Sequence, residues 1–400
     1  MRIAEKSERT TREKGEFLMK HKARTKALSW LLSLALALSL LPGMSLTAYA
    51  DGVSYQEGSW SNNSVAYTAE TATNPTPLAN DTTEWGNGNW YVVPADGVTI
   101  SSRITVTGTA NLILTDGNTL TASKGITVAD GNTLNIYAQS VGDTAGSLRI
   151  NSVDDSKAGI GGEFGQNAGT VIIHGGKITV KGGTWYGAGI GGGSGSQGGG
   201  NGGTVTLYGG AITATGGMQA AGIGGGYKGN GGTVTLYGGA ITAAGGDSAA
   251  GIGGGYKGSN GGAVTINGGT VTAKGGMGGA GIGGGSGSNG GIVTINGGTV
   301  TATGGNGGTG IGSGLLDMGN ESSGIGGSVT INGGTVTATG GDDMSMGIGG
   351  VLRLDQMDYG TQLPPKNGSL SVGSGLKVYG GNSANPTTEL TQFSTIYRVY

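Results

Sequence analysis

The sequence predicts an all-β chain wound as a single-stranded, right-handed parallel β-helix with Gly-rich rungs of about 29–30 residues. Three observations carry this. Glycine supplies 94 of the 400 residues, with only 7 Pro and no Cys. A Gly-Ile-Gly unit recurs with Ile at 160, 190, 223, 252, 282, 311 and 348, and an extra copy occurs at Ile325. Between these units the pattern Thr-Val-Thr-Leu-Tyr-Gly-Gly-Ala-Ile-Thr-Ala at 204–214 returns from 233, 263, 292 and 328. Apolar and polar residues alternate in it, which is the signature of a strand with one buried face. Collagen is excluded because the glycines fall in clusters rather than at every third place. A disordered Gly-rich linker would lack the regular Val and Ile positions. A calcium β-roll needs repeated aspartates, and Asp247 is the one acidic residue between 164 and 316.

Residues 1–50 read as a signal peptide. Lys20, Lys22, Arg24 and Lys26 precede an apolar run, and Ala48-Tyr49-Ala50 follows as a small-x-small cleavage motif. The expected mature chain is secreted or cell-surface associated. It carries 13 Lys/Arg against 20 Asp/Glu, a sparse acidic balance that disfavours nucleic acid. No later segment is apolar enough to span a membrane. Residues 51–84 lack periodicity and read as a flexible leader. Residues 85–157 hold short strands between Asp-Gly-Asn turns at 116–118 and 130–132, expected as an N-terminal cap and the first rungs. Trp85, Trp90 and Tyr91 are the candidate shield for the open end. Residues 158–350 are the Gly-rich repeats. Residues 351–400 are expected to form an interrupting loop and a C-terminal rung or cap.

Each rung offers about five inward side chains, too few for a core of its own, so rungs must stack. Val205, Val234, Val264, Val293 and Val329 should form one internal ladder. Ile212, Ile241, Val271, Val300 and Val336 should form a second, and the Gly-Ile-Gly isoleucines a third. Crossover chirality favours the right-handed winding.

The strand series from Trp85, the Ala158-Gly159-Ile160-Gly161-Gly162 unit and the repeats that follow resemble secreted or cell-surface β-helix proteins of Gram-positive gut bacteria. These are similar to the pectate-lyase-like β-helix superfamily and its non-catalytic carbohydrate-binding members. The resemblance implies the β-helix architecture and an extracellular compartment rather than a particular activity; a polysaccharide or host-surface glycan is the partner expected from the surface columns of Tyr and Asn.

Catalysis is not expected. Glycosidases need two carboxylates at a set separation, and lyases need clustered carboxylates with a basic residue. Asp154-Asp155 and Asp342-Asp343 are the only nearby doublets. They read as solvated turns that could give weak Ca²⁺ contacts, and no cofactor is predicted. His174 reads as one variant of an exposed column, without a nucleophile beside it. The binding candidates are Tyr208, Tyr237, Asn267, Asn296 and Asn332, stacked in one column, with Tyr227, Lys228, Tyr256 and Lys257 in loops 29 residues apart. Tyrosines can stack on sugar rings and Asn amides can bond hydroxyls, while Thr and Asn also simply suit strands and turns. A carbohydrate-binding adhesin is the first expectation, and a purely structural stalk or spacer is the alternative. A polysaccharide lyase or glycosidase is a minor reading. So is ice binding, because His174, Ala263 and Ile292 break the threonine array. Near-identical rungs also permit self-association.

Overall fold

The computed structural model describes residues 52–151, 154, 156–195, 200–315, 324–342, 345–350 and 369–373, and the backbone of four short strands between 353 and 389. The expected signal peptide and most of the expected C-terminal cap lie outside the described residues. The chain is a single-stranded, right-handed parallel β-helix. One rung places Thr204–Leu207 in sheet A, Ala211–Thr215 in sheet C and Ile223–Gly224 in sheet B. The next rung adds Thr233–Leu236, Ala240–Ala244 and Ile252–Gly253 to the same sheets, parallel and in register.

The predicted ladders form the core. Val205 pairs with Val234, and the series runs on through Val264, Val293 and Val329. Ile212 pairs with Ile241, then Val271, Val300 and Val336. All but Val336 are buried, and Val336 packs against them half-buried. Equal side chains meet at the interstrand spacing, so each rung closes the apolar face of the one before it.

Glycine is required at two places in the rung. The residue after each Gly-Ile-Gly isoleucine of sheet B has φ between +132° and +143°, as at Gly224 and Gly253. A Cβ at Gly253 would lie 2.0 Å from the carbonyl oxygen of Gly283. The second glycine of each Gly-Gly corner between sheets A and C is also left-handed, with φ +90° at Gly210. An asparagine ladder fastens the turn from sheet B to sheet A. The side-chain oxygen of Asn167 accepts from the amide of Asn201 at 3.0 Å, and that of Asn201 from the amide of Asn230 at 2.9 Å.

Three expectations need correction. The leader at 51–84 is not a flexible segment within the described residues. It forms a hairpin, β1 (Val53–Ser61) and β2 (Ser64–Ala72), and then enters the solenoid at Thr76–Pro77 and Glu84–Trp85. Asn62 and Asn63 take φ of 50° and 58°, the two left-handed positions that a tight hairpin turn needs. The apparent lack of periodicity has a physical cause: β1 buries Val53, Tyr55 and Gly58, and β2 is largely exposed. Second, Ile325 is not a sheet B strand. It lies in the turn toward sheet A, where its amide meets the side-chain oxygen of Asn289, and Ile348 takes the place above Ile311. Third, His174 is not exposed: it retains 6% of its surface because the hairpin lies over it.

Candidate functional site

The structure separates the nine candidate residues into two groups at opposite ends of the sheet A strands. Tyr208, Tyr237, Asn267, Asn296 and Asn332 follow those strands, at the corner toward sheet C. Tyr227, Lys228, Tyr256 and Lys257 precede them, in the turns from sheet B. No single strip collects all of them.

The first group is a continuous column. Tyr137, His174, Tyr208 and Tyr237 stack with centroids 4.4, 5.1 and 5.0 Å apart and planes 11–13° from parallel. Asn267, Asn296 and Asn332 continue it: the side-chain nitrogen of Asn296 donates to Asn267 Oδ1 and that of Asn332 to Asn296 Oδ1, each at 2.8 Å. Rungs set about 4.8 Å apart bring the rings face to face, so His174 and Tyr237 occupy the two faces of Tyr208, and Tyr208 occupies one face of Tyr237. The remaining edge is covered by the hairpin. Tyr55 packs on Tyr137 at 4.6 Å and on Trp90 at 4.7 Å, and Trp60 on Tyr237 at 5.2 Å. The amide of Gly58 donates to His174 Nδ1 at 3.0 Å. Burial pulls the His174 pKa down to about 4, against a smaller raising effect of the Gly58 backbone. Burial likewise raises the Tyr208 phenol, with Tyr237 and Glu57 adding to it.

The second group belongs to a ridge outside sheet B. The turn entering each sheet B strand and the turn leaving the next one are hydrogen-bonded together. The amide of Tyr227 donates to Tyr186 O at 3.0 Å, and that of Tyr256 to Gln219 O at 3.1 Å. Tyr186 meets Tyr227 at 5.0 Å with the rings tilted by 36°, and Tyr227 stacks on Tyr256 at 6.1 Å. Lys228 and Lys257 are left-handed, with φ of 59° and 56°, and this folds their ammonium groups back over Tyr227 and Tyr256 at 5.3 and 5.4 Å.

Sequence reading missed the exposed members of this ridge. Trp185 is 44% exposed, Phe164 59% and Met277 65%, and Met218 and Leu315 stand on the same two columns of turns. Their signal was present as offset: Trp185, Met218 and Met277 each lie five residues before a Gly-Ile-Gly isoleucine, and Phe164, Tyr227, Tyr256 and Leu315 four after one.

Threonine is distributed differently from the sequence expectation. Ala263 and Ile292 interrupt sheet A. Sheet C carries an unbroken outward row, Thr179, Thr213, Thr242, Thr272, Thr301 and Thr337. Lys177, Lys181 and Lys274 flank it.

Near the N-terminal end, five charged residues interlock. Arg103 pairs with Glu163 at 3.3 Å and donates to Lys124 O and Ala158 O at 2.6 and 2.9 Å. Thr127 Oγ1 donates to Glu163 at 2.7 Å. Lys157 bridges Asp154 and Glu163 at 3.5 and 3.6 Å, and Lys124 reaches Asp154 at 3.4 Å. Asp154, in a bend and with its side chain 35% exposed, is thus a partly solvated ion-pair partner. Asp342 accepts from the Gly307 amide and from Ser345 at 2.9 and 2.6 Å. Asp155 and Asp343 lie outside the described residues, among which no cluster of three or more His, Asp or Glu could hold a metal.

A family model described as a beta helix repeat matches residues 171–194, 205–227, 264–286, 293–315 and 329–350. Each matched segment begins in a sheet A strand, crosses the Gly-Gly corner and sheet C, and runs to or past sheet B. These segments are similar to that repeat, and the described residues around them form a parallel β-helix. The chain has the same unit at 234–256, where registered pairing continues without a break. No curated protein and no solved structure matches the chain. Among the described residues no helix is long and apolar enough to cross a membrane.

Proposed function

We propose that this β-helix repeat protein is a non-catalytic, adhesin-like module, secreted or held at a cell surface, that contacts an extended carbohydrate through the ridge outside sheet B. One observation carries the reading. Of the large apolar side chains left exposed, Phe164, Trp185, Met218, Met277 and Leu315 gather on this ridge, beside Tyr227, Tyr256 and their lysines. Exposed apolar side chains gathered in one place mark an interaction surface. The ridge runs along the solenoid axis, so it presents one set of contacts per rung, a repeat suited to a polymer of similar unit length. Trp185 offers exposed aromatic surface, and the lysines carry donors suited to hydroxyls.

The test is a glycan array and polysaccharide sedimentation with the full chain, beside Trp185→Ala and a Tyr227→Ala/Tyr256→Ala pair. The expected result is retention of at least one polysaccharide by the parent and loss of about tenfold in affinity in Trp185→Ala. Equal binding by all three proteins, or by none, removes the ridge as a glycan site. A structural stalk is the second reading. It is favoured by the Tyr137–Tyr237 column, whose aromatic surface is occupied internally, and the absence of binding would select it.

A further inference from the structure

The hairpin does more than cover the aromatic column. Together with the loop at 139–146 it walls a cleft of about 340 Å³ over the corner between sheets A and C. Gly176, Gly210 and Gly239 from three successive rungs make the floor, so bound atoms can approach the backbone directly. Tyr67 of β2 stands on one side, with its hydroxyl on Tyr208 O at 3.5 Å. Ser140 and Asp143 stand on the other, with Lys177 at the rim. The loop is held at both ends. Ser140 Oγ donates to Asp116 at 2.9 Å, and Lys177 Nζ donates to the backbone oxygen of Asp143.

From this we infer that the cleft is a second binding site, for a single neutral pyranose, distinct from the ridge. Its volume is at the lower end of small-ligand sites, which fits one ring and not a chain. Its two charges are opposite. A net anion meets the Asp143 carboxylate and a net cation meets Lys177, whereas vicinal hydroxyls satisfy a carboxylate acceptor and an ammonium donor together. The side-chain-free floor and the neighbouring Ala138 and Ala211 face the C–H surface of the ring. The ligand class rests on the carbohydrate reading above. The site itself does not, because it lies at the other end of the sheet A strands from the ridge.

The experiment is saturation-transfer NMR and calorimetry on the full chain with the methyl glycosides of glucose, galactose and mannose, and with glucuronate as the anionic probe. Asp143→Asn keeps the backbone oxygen that Lys177 holds, Tyr67→Phe keeps the wall, and Trp185→Ala alters only the ridge. The expected outcome is saturable binding of at least one methyl glycoside, weakened about tenfold in Asp143→Asn and unchanged in Trp185→Ala. The proposal is overturned if no methyl glycoside binds, if glucuronate binds more tightly, or if Asp143→Asn binds like the parent. Loss in Trp185→Ala but not in Asp143→Asn assigns the sugar to the ridge and leaves the cleft without a role. Polysaccharide retention with no monosaccharide binding sinks the cleft while sparing the ridge.

Discussion

The residue after each Gly-Ile-Gly isoleucine of sheet B shows how one side chain too many would end a rung. At Gly253 two demands coincide: φ of +134°, and a neighbouring carbonyl oxygen 2.0 Å from where a Cβ would sit. Gly117 shares only the first, with φ of +72° and nothing within 4 Å. Gly117→Ala should therefore cost about 1 kcal/mol, the conformational penalty alone. Gly253→Ala should cost about 3 kcal/mol, because the backbone of the next rung must also give way. Urea unfolding of the two variants checks this, and equal midpoints would refute the steric argument. The doubled demand was half legible in the sequence. A Gly repeated at one offset signals a backbone need, but the clash depends on how closely two rungs approach.

At the scale of elements, the hairpin decides what the solenoid exposes. Stacked aromatic pairs are each worth about 1 kcal/mol beyond burial, and the hairpin adds Tyr55 and Trp60 to a column of four rings. It also makes stability depend on pH through His174. The imidazole titrates near 4 when folded and near 6.5 when unfolded. Between those values the unfolded chain binds more protons, so stability falls as pH drops through this window, by up to about 3 kcal/mol. His174→Phe should flatten that part of the stability–pH curve, whatever its effect at neutral pH. Thermal melts from pH 4 to 7 read this out, and an unchanged slope would mean that the hairpin does not bury the ring. The element was hard to read from sequence because its burial is one-sided and irregular. Asn62-Asn63 suits a tight turn as well as a loop, and Tyr55 gives no sign that its partners lie about 80 residues on, at Tyr137.

For the whole molecule, register is the organising quantity. Since Ala263 stands on Ile292 and Gly262 precedes one as Gly291 precedes the other, removing 263–291 joins Gly262 to Ile292 without shifting any inward side chain. The shortened chain should fold, lose about 4.8 Å of rod length in small-angle scattering, and melt within a few degrees of the parent. Collapse of the fold on this deletion would show that the rungs are not interchangeable units. By itself the sequence determined the winding: the 29–30-residue period, the Val and Ile ladders and the glycine corners follow from local alternation repeated at fixed spacing. Tertiary structure alone decided which surface is available. Alternation says which side chains point outward, but not which outward rings face each other across a rung or what distant segment covers them. Tyr208 and Tyr237 look like open platforms when read along the chain. They are closed by ring stacking between rungs and by a hairpin whose contacts span more than a hundred residues, while Trp185 and its neighbours stay open because no described segment lies over them.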